Sequence, residues 1–397
     1  MKIAFIHLNL STESGDPRMF YTLVQEVKAL GHHVVVYTAQ FNPNAFPKLH
    51  AGLEIRALAS SSVRTDADAP RGAVKKVMER LQYDREAARA VEKIGGMLDK
   101  DFDALVFQND PSYRIGVAYK KVNPAAKCIW VMNNAPFYHS AKPDFVINAL
   151  SWCVARFAKI RLRPFMTGID LVVVHDNERG AMIRPFGVPV VILRIPVDFK
   201  HFFAPVKRRT PGDKKIMLLG VGTLSPARRF EDIISAVAHL CAAGYDARAT
   251  LVCKDFWNAA GYREVVIGLA KKLNIESRVS FMFDGATEEE LRAALAAADV
   301  FVFASVINIW NMSSFEAMAA GLPLVVSSAT SLPEVLKDGT TALFFKPGDA
   351  EDIAEKVVAL VRDPERCYAI AAAGQKFVGE HLSWDAYAKE FISHLSS

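Results

Sequence analysis

Along the chain, short apolar, β-branched runs alternate with longer stretches whose apolar positions recur every three or four residues, a pattern that predicts βαβ units and parallel sheets. In the first half the runs predict strands over Lys2–Leu8, His33–Thr38, Leu53–Leu58, Ala104–Phe107, Lys127–Met132, Leu171–His175 and Val190–Ile195. Several are apolar almost throughout, as strands covered on both faces must be. Between the first two, Phe20, Leu23, Val24, Val27 and Leu30 follow the 3.6-residue period and predict a helix from near Arg18 to Leu30, closed by Gly31. A second series of strands is expected at Lys215–Val221, Ala249–Val252, Val279–Met282, Val300–Ala304, Leu324–Ser327 and Leu343–Phe345. The stretches Ala350–Arg362, Pro364–Val378 and Trp384–Leu395 read as helices. Residues 204–213 hold two prolines and no periodicity, and so predict a linker between a domain of residues 1–203 and one of residues 214–379. Trp384, Phe391 and Leu395 give the last helix, within residues 380–397, an apolar face to dock on the first domain.

The expected fold class is therefore α/β, with two doubly wound, Rossmann-like parallel sheets facing a cleft. Ligands of such sheets gather at the carboxyl ends of the strands where the strand order reverses. A chain of 397 residues, 51% hydrophobic and 23% charged, is long enough for two such domains and excludes a disordered or coiled-coil protein. Five scattered cysteines without a Cys-x-x-Cys pair indicate neither a disulfide framework nor a zinc site, and fit a reducing cytoplasm. The apolar start is too short for a secretory signal, and no uncharged run is long enough to span a bilayer. The net charge of +5 is uneven: residues 1–203 carry 27 Lys/Arg against 19 Asp/Glu, and the rest carry 21 against 24. No nucleic-acid signature accompanies the basic half, so nucleic acid is not an expected partner.

The stretch Ser305-Val306-Ile307-Asn308-Ile309-Trp310-Asn311-Met312-Ser313-Ser314-Phe315-Glu316 leads from a strand through a polar loop into a helix. Free N–H groups at such a helix start suit a phosphate. Ser313-x-x-Glu316 also matches a capping box, in which Glu316 only satisfies a backbone N–H, and spacing alone favours that reading. Near the first strand of the second series, Arg228 and Arg229 open a helix, where cations oppose the helix dipole unless an anion joins them.

Phe301–Pro323, with Glu316-Ala317-Met318-Ala319-Ala320-Gly321-Leu322-Pro323 at its end and Pro333-Glu334-Val335-Leu336-Lys337-Asp338-Gly339 following, resembles the two-glutamate signature of the family 4 glycosyltransferases, retaining enzymes of the GT-B fold. The resemblance covers nearly the whole chain. It implies that Glu316 accepts hydrogen bonds from the donor's ribose hydroxyls and that the N–H groups of Asn311, Met312 and Ser313 meet donor phosphate or sugar. Asn308 stands at the first glutamate's position, which touches hydroxyls of the transferred sugar, and Trp310 resembles a branch with an amide and a Trp in this loop. In Gly220-Val221-Gly222-Thr223-Leu224-Ser225-Pro226-Ala227-Arg228-Arg229 the family's two diphosphate cations fall on Thr223 and Arg228, so one is missing and Arg229 is the candidate to replace it.

In the first half, the loop holding Gly15, Asp16 and Arg18 matches the family's acceptor or phosphate loop in part, and Asp16-Pro17 reads as a helix N-cap and first residue. Asn133 stands where many relatives place a His that reaches the donor sugar, with Asn134 beside it and His139 six residues on. Pro143–Pro164 reads as a basic amphipathic helix that, with Arg71, Lys75, Lys76, Arg80, Arg85 and Arg89, suits an anionic membrane face as well as ordinary packing. Asp66-Ala67-Asp68 and Asp101-Phe102-Asp103 have a metal–diphosphate spacing but read as solvated loop acids.

The resemblance implies a hexosyltransferase that moves a mannose- or glucose-type sugar, with retention, from a GDP- or UDP-linked donor to a glycan or lipid-linked hydroxyl. Neither metal nor cofactor is expected, and the expected site is cytoplasmic or peripheral on the membrane's inner face. A sugar-nucleotide epimerase or a silent binding protein are the alternatives.

Overall fold

The computed structural model describes residues 1–58, 73–108, 111–133, 145–255 and 260–396, and the chain divides into two units. Among the described residues, unit 1 runs from Met1 to Ile195 and takes in the last helix, whereas unit 2 spans Pro196–Ser383.

Unit 1 is built on seven parallel strands: β1 (Lys2–His7), β2 (His33–Thr38), β3 (Glu54–Ala57), β4 (Ala104–Gln108), β5 (Lys127–Val131), β6 (Leu171–Val174) and β7 (Val190–Ile192), in spatial order β3-β2-β1-β4-β5-β6-β7. The order reverses beside β1, whose Ile3 and Phe5 point to one face and Ala4 and Ile6 to the other. Both faces are covered, which explains the unbroken apolar runs. Helix α1 (Gly15–Ala29) lays Phe20, Leu23, Val24 and Val27 on the Ile3–Phe5 face, and the C-terminal helix Trp384–Ser396 adds Tyr387, Phe391 and Leu395 to the same cluster. The opposite face is closed by Ala87, Ala90, Val91 and Ile94 of α2 (Ala73–Met97) and by Leu162 and Met166 of α3 (Phe145–Met166).

Unit 2 repeats the plan with six parallel strands: β8 (Lys215–Thr223), β9 (Asp246–Lys254), β10 (Val279–Met282), β11 (Val300–Phe303), β12 (Leu324–Ser327) and β13 (Leu343–Phe345), ordered β10-β9-β8-β11-β12-β13. Here the reversal lies beside β8, which pairs with β9 along its length and with β11 only at Leu218↔Val300 and Leu219↔Phe301. Beyond that short pairing the chains after β8 and β11 part, and the site described below lies in those loops. Helices α4 (Phe230–Ala242) and α5 (Met312–Ala319) follow those two loops.

Residues 204–213 are held to unit 2 by specific contacts rather than hanging free. The Ala204 N–H donates to the Ala319 carbonyl (3.4 Å), Gln375 Nε2 donates to the Ala204 carbonyl (2.7 Å), and Arg208 pairs with Glu365 at 2.7 Å. Gly321, which opens the Gly-Leu-Pro turn after α5, has φ +76°, and a Cβ there would lie 3.0 Å from both the Ala204 carbonyl oxygen and Val206 Cα. The turn thus needs glycine for its dihedral and for the chain passing over it. Gly321→Ala should destabilise unit 2 by about 1–2 kcal/mol from the left-handed backbone alone, read as a lower urea midpoint for unit 2 with unit 1 unchanged; an unaltered midpoint would contradict this packing.

Candidate functional site

At the strand reversal of unit 2, β8 ends in Gly222 and Thr223, and the chain makes a tight turn, Pro226–Arg228, that Ser225 caps through its Oγ, which accepts from the Ala227 N–H (3.4 Å). The loop after β11 is tied to it because the Val306 N–H donates to the Ala227 carbonyl (3.0 Å). Arg228 is thereby turned back over the strand ends. Its Nη1 donates to Ser305 Oγ (3.3 Å) and its guanidinium lies over the Phe303 ring, 5.6 Å from the centroid. Gly222 lies beside it: a Cβ there would sit 3.7 Å from Arg228 Cδ, an ordinary contact distance. Burial pulls the Arg228 pKa down to about 10, and among the described residues no carboxylate contacts it. Arg229 differs: at φ +54° it places its guanidinium on Asp232 (2.7 Å) and Glu231 (3.0 Å), so its charge is already neutralised within the first turn of α4.

Across the loop, Asn308 Oδ1 is buried and has no hydrogen-bond partner among the described residues. Trp310 packs against Phe315 (4.7 Å between centroids), as a core anchor does. Helix α5 begins at Met312, and its cap is Asn311, whose Oδ1 accepts from the Ser314 N–H (2.7 Å) and Oγ (2.8 Å). The capping box expected from Ser313 and Glu316 is therefore not formed. Ser314, not Glu316, occupies the third helical position, so the Glu316 carboxylate lies beyond the reach of a cap, 2% exposed. The N–H groups of Met312 and Ser313 occupy the first two positions of the helix, where no intrahelical acceptor exists.

Unit 1 gathers a different set of groups at its own reversal. The expected Asp16-Pro17 cap is not the one formed: Ser14 is the N-cap, Gly15 opens α1, and Asp16 sits one residue inside. Its carboxylate instead accepts from His7 Nε2 (2.9 Å), Gln108 Nε2 (2.8 Å) and Asn133 Nδ2. The Asn9 N–H donates to His7 Nδ1 (3.1 Å), which fixes the proton of His7 on Nε2. Behind this, Asn133 Oδ1 lies 2.7 Å from His175 Nε2, and His175 Nδ1 lies 3.0 Å from the Leu193 carbonyl. Burial drives the His175 pKa down to about 4, so near neutral pH the ring is uncharged and carries a single N–H. Both ends of the Asn133 side-chain amide are thus engaged inside unit 1, and Arg179 Nε donates to the Asn133 backbone carbonyl (2.8 Å). Arg18 continues α1, its N–H donating to the Ser14 carbonyl (3.2 Å).

His7, Gln108 and His175 were not singled out from the sequence. The available signal was a polar residue ending, or directly following, an otherwise apolar strand, which β1, β4 and β6 share. Asp101 and Asp103 meet Lys2 (2.6 Å to its Nζ and 2.7 Å to its N–H), at the opposite strand ends. Asp66, Asp68, Arg71, Asn134 and His139 lie outside the described residues, as do the side chains of Lys75, Lys76 and Arg80. Among the described residues, no group of three His, Cys, Asp or Glu side chains is placed to hold a metal ion, and no helix is long and apolar enough to cross a membrane.

Two parallel-sheet α/β domains, each reversing strand order beside its first strand, define the GT-B fold. The Anabaena protein HepE, solved in complex with UDP and glucose, superposes on it with a TM-score of 0.73 at 15% identity, covering 100% of this chain and 99% of that one. Residues 204–377 match the family model described as "Glycosyl transferases group 1". Over 110 residues the chain is 32% identical to the MMP alpha-(1->4)-mannosyltransferase of Mycolicibacterium hassiacum, covering 28% of this chain and 27% of that protein. Over 262 residues it is 24% identical to the GDP-mannose-dependent alpha-(1-6)-phosphatidylinositol monomannoside mannosyltransferase of Mycobacterium tuberculosis, covering 62% and 66%. The chain thus spans between about a quarter and two thirds of these curated relatives. The structural match shows the GT-B fold, and the family-model match is confined to residues 204–377.

Asn311→Ala should cost about 0.5–2 kcal/mol of stability, and Asn311→Ser should restore most of it, because Ser also caps. Chemical unfolding checks this, and an Asn311→Ala protein as stable as the parent would return the cap to Ser313 and Glu316.

Proposed function

We propose that the protein is a retaining glycosyltransferase that moves a hexose from a nucleoside-diphosphate sugar to a sugar hydroxyl of a glycan or lipid-linked acceptor. The observation that carries this reading is Arg228, a half-buried guanidinium beside a hydroxyl and an aromatic face with no carboxylate among the described residues. A desolvated cation of this kind is stabilised by an anion, and a leaving diphosphate gains negative charge as the glycosidic bond breaks. The N–H groups of Met312 and Ser313 suit the same phosphates. Asn308 Oδ1, an orphaned acceptor, suits a hydroxyl of the transferred sugar, and the Glu316 carboxylate suits the ribose hydroxyls. We place Gly222 and Thr223 at the donor on the family resemblance, while Arg229 keeps the turn in shape through Asp232.

The acceptor oxygen forms the new bond to the anomeric carbon on the face from which the diphosphate leaves, and its proton passes to the departing phosphate oxygen. No metal is required where Arg228 and the helix start carry that charge. Whether the base is guanine, as in the name of the mycobacterial relative, or uracil, as in the HepE complex, is a question for titration. Peripheral attachment to an anionic membrane is part of the proposal. On α3, Phe157 and Ile160 are 60% and 58% exposed and are interleaved with exposed Arg156, Lys159, Arg161 and Arg163, the mixture an anionic lipid surface binds.

Calorimetric titration with UDP and GDP should give binding of one of them, weakened in Glu316→Gln by about 1.5–3 kcal/mol, the worth of a hydrogen bond to a charged group. Arg228→Ala should lower kcat by about 10²–10³ while changing the donor KM far less. Binding of neither nucleotide, or an Arg228→Ala effect confined to KM, would contradict the assignment. Anionic vesicles should sediment the protein at low salt and release it as salt rises, and Phe157→Ser with Ile160→Ser should abolish this; parent protein left in the supernatant would remove the membrane from the reading.

A further inference from the structure

The residue that follows Arg228 is ill suited to the backbone it adopts. Arg229 closes the tight turn, its N–H donating to the Pro226 carbonyl (3.3 Å), and opens α4, its carbonyl accepting from the Asp232 N–H (3.0 Å). Between those two bonds it sits at φ +54°, ψ +45°, a left-handed conformation that brings Cβ close to the following carbonyl oxygen and that glycine adopts without cost. Arg228 shares a peptide unit with it, so the direction in which Arg228 leaves the turn depends on Arg229 staying left-handed.

The side chains around Arg229 show what holds it. Its Nε and Nη2 donate to the two oxygens of Asp232 (3.0 and 2.7 Å), and Nη1 lies 3.0 Å from Glu231 Oε1. The other Glu231 oxygen accepts from the hydroxyl of Tyr262, on the helix Ala260–Lys272 that packs beside α4. That hydroxyl in turn accepts from the Phe230 N–H (3.1 Å), the first of α4, which has no acceptor within its own helix. Tyr262 is 8% exposed, and burial together with Glu231 pushes its phenol well above the usual value, so it keeps the proton it donates. Its ring packs in the core cluster that holds Phe230. A closed circuit thus runs from the Arg229 guanidinium through Glu231 and Tyr262 to the Phe230 N–H, and it encloses the backbone next to Arg228.

We infer that Tyr262, acting through Glu231 and the Phe230 N–H, is the positioning residue that keeps Arg229 left-handed and so keeps Arg228 aimed at Ser305 and the diphosphate. The diphosphate rests on the glycosyltransferase reading; the hold on the turn does not. Arg229 is then a clamp on the turn, its charge spent on Asp232 and Glu231, instead of a second cation for the phosphates.

Free UDP or GDP carries on its terminal phosphate the charge that a sugar donor develops only as its glycosidic bond breaks. Calorimetric titration with UDP and GDP, and with UMP and GMP beside them, therefore reads the placement of Arg228. Tyr262→Phe keeps the ring and loses the hydroxyl; it should weaken the diphosphate that binds about 3- to 30-fold while its monophosphate stays within about twofold. In an Arg229→Gly background, where the left-handed turn needs no clamp, the same substitution should change diphosphate affinity by less than about twofold. Without nucleotide, amide hydrogen exchange in peptides covering residues 226–234 should be faster in Tyr262→Phe than in the parent. If Tyr262→Phe does not fold, Glu231→Gln, which loosens Arg229 at unchanged size, takes its place in each measurement.

Parental diphosphate affinity in Tyr262→Phe would overturn the inference, as would equal losses of monophosphate and diphosphate, an undiminished effect in the Arg229→Gly background, or parental exchange over residues 226–234. Arg229→Gly that loses as much diphosphate affinity as Arg228→Ala would make Arg229 a phosphate cation and overturn it too. Parent protein that binds neither nucleotide would overturn the glycosyltransferase reading, while the exchange measurement, made without ligand, still decides whether Tyr262 holds the turn.

Discussion

A guanidinium drawn partly out of water is costly unless something compensates it, and the arrangement at the strand reversal of unit 2 is organised around that cost. Arg228 is turned inward because Ser225 closes a tight turn and because the loop after β11 is pinned to the Ala227 carbonyl. A hydroxyl and a ring face are all it receives there, among the described residues. Arg229, one residue later, shows the ordinary alternative, a cation neutralised by carboxylates of its own helix. The helix start at Met312 and the orphaned Asn308 oxygen add a second and third unmet demand nearby in sequence, the combination on which the proposed nucleotide-sugar site rests.

Unit 1 uses the same sheet topology for the opposite chemistry. At its reversal the strand ends contribute N–H donors from His7 and Gln108, and these converge on one carboxylate instead of waiting for an anion. The two units thus carry complementary tasks on one architectural plan: cation and free N–H groups in unit 2, acceptor oxygens in unit 1. Fold sets where a site lies, and the handful of side chains at the strand ends sets what it binds.

Most of the fold was legible because both sheets are buried on both faces. Unbroken apolar runs marked Val279–Met282, Leu324–Ser327 and Leu343–Phe345 at their observed ends, and the others within a few residues. Local chemistry was less legible. Ser313-x-x-Glu316 has the spacing of a capping box, yet Asn311 wins the cap because its side-chain oxygen reaches both the N–H and the hydroxyl of Ser314. Asp16 has the sequence position of a cap, yet three donors at or just beyond strand ends outbid the helix for its carboxylate. Residues 204–213 lack periodicity, as linkers do, but their cations and carbonyls find partners on unit 2. In each case the deciding partner lies far away in sequence or competes within a single turn, where spacing carries no information.

The central claim is that the loops after β8 and β11 form one nucleotide-sugar site built on Arg228. Amide hydrogen exchange of the intact chain, with and without saturating UDP or GDP, tests it most directly. The account predicts that one nucleotide slows exchange in peptides covering residues 222–229 and 305–316 together, and that Arg228→Ala weakens the protection of both. Protection confined to other segments, or retained in full without Arg228, would contradict it.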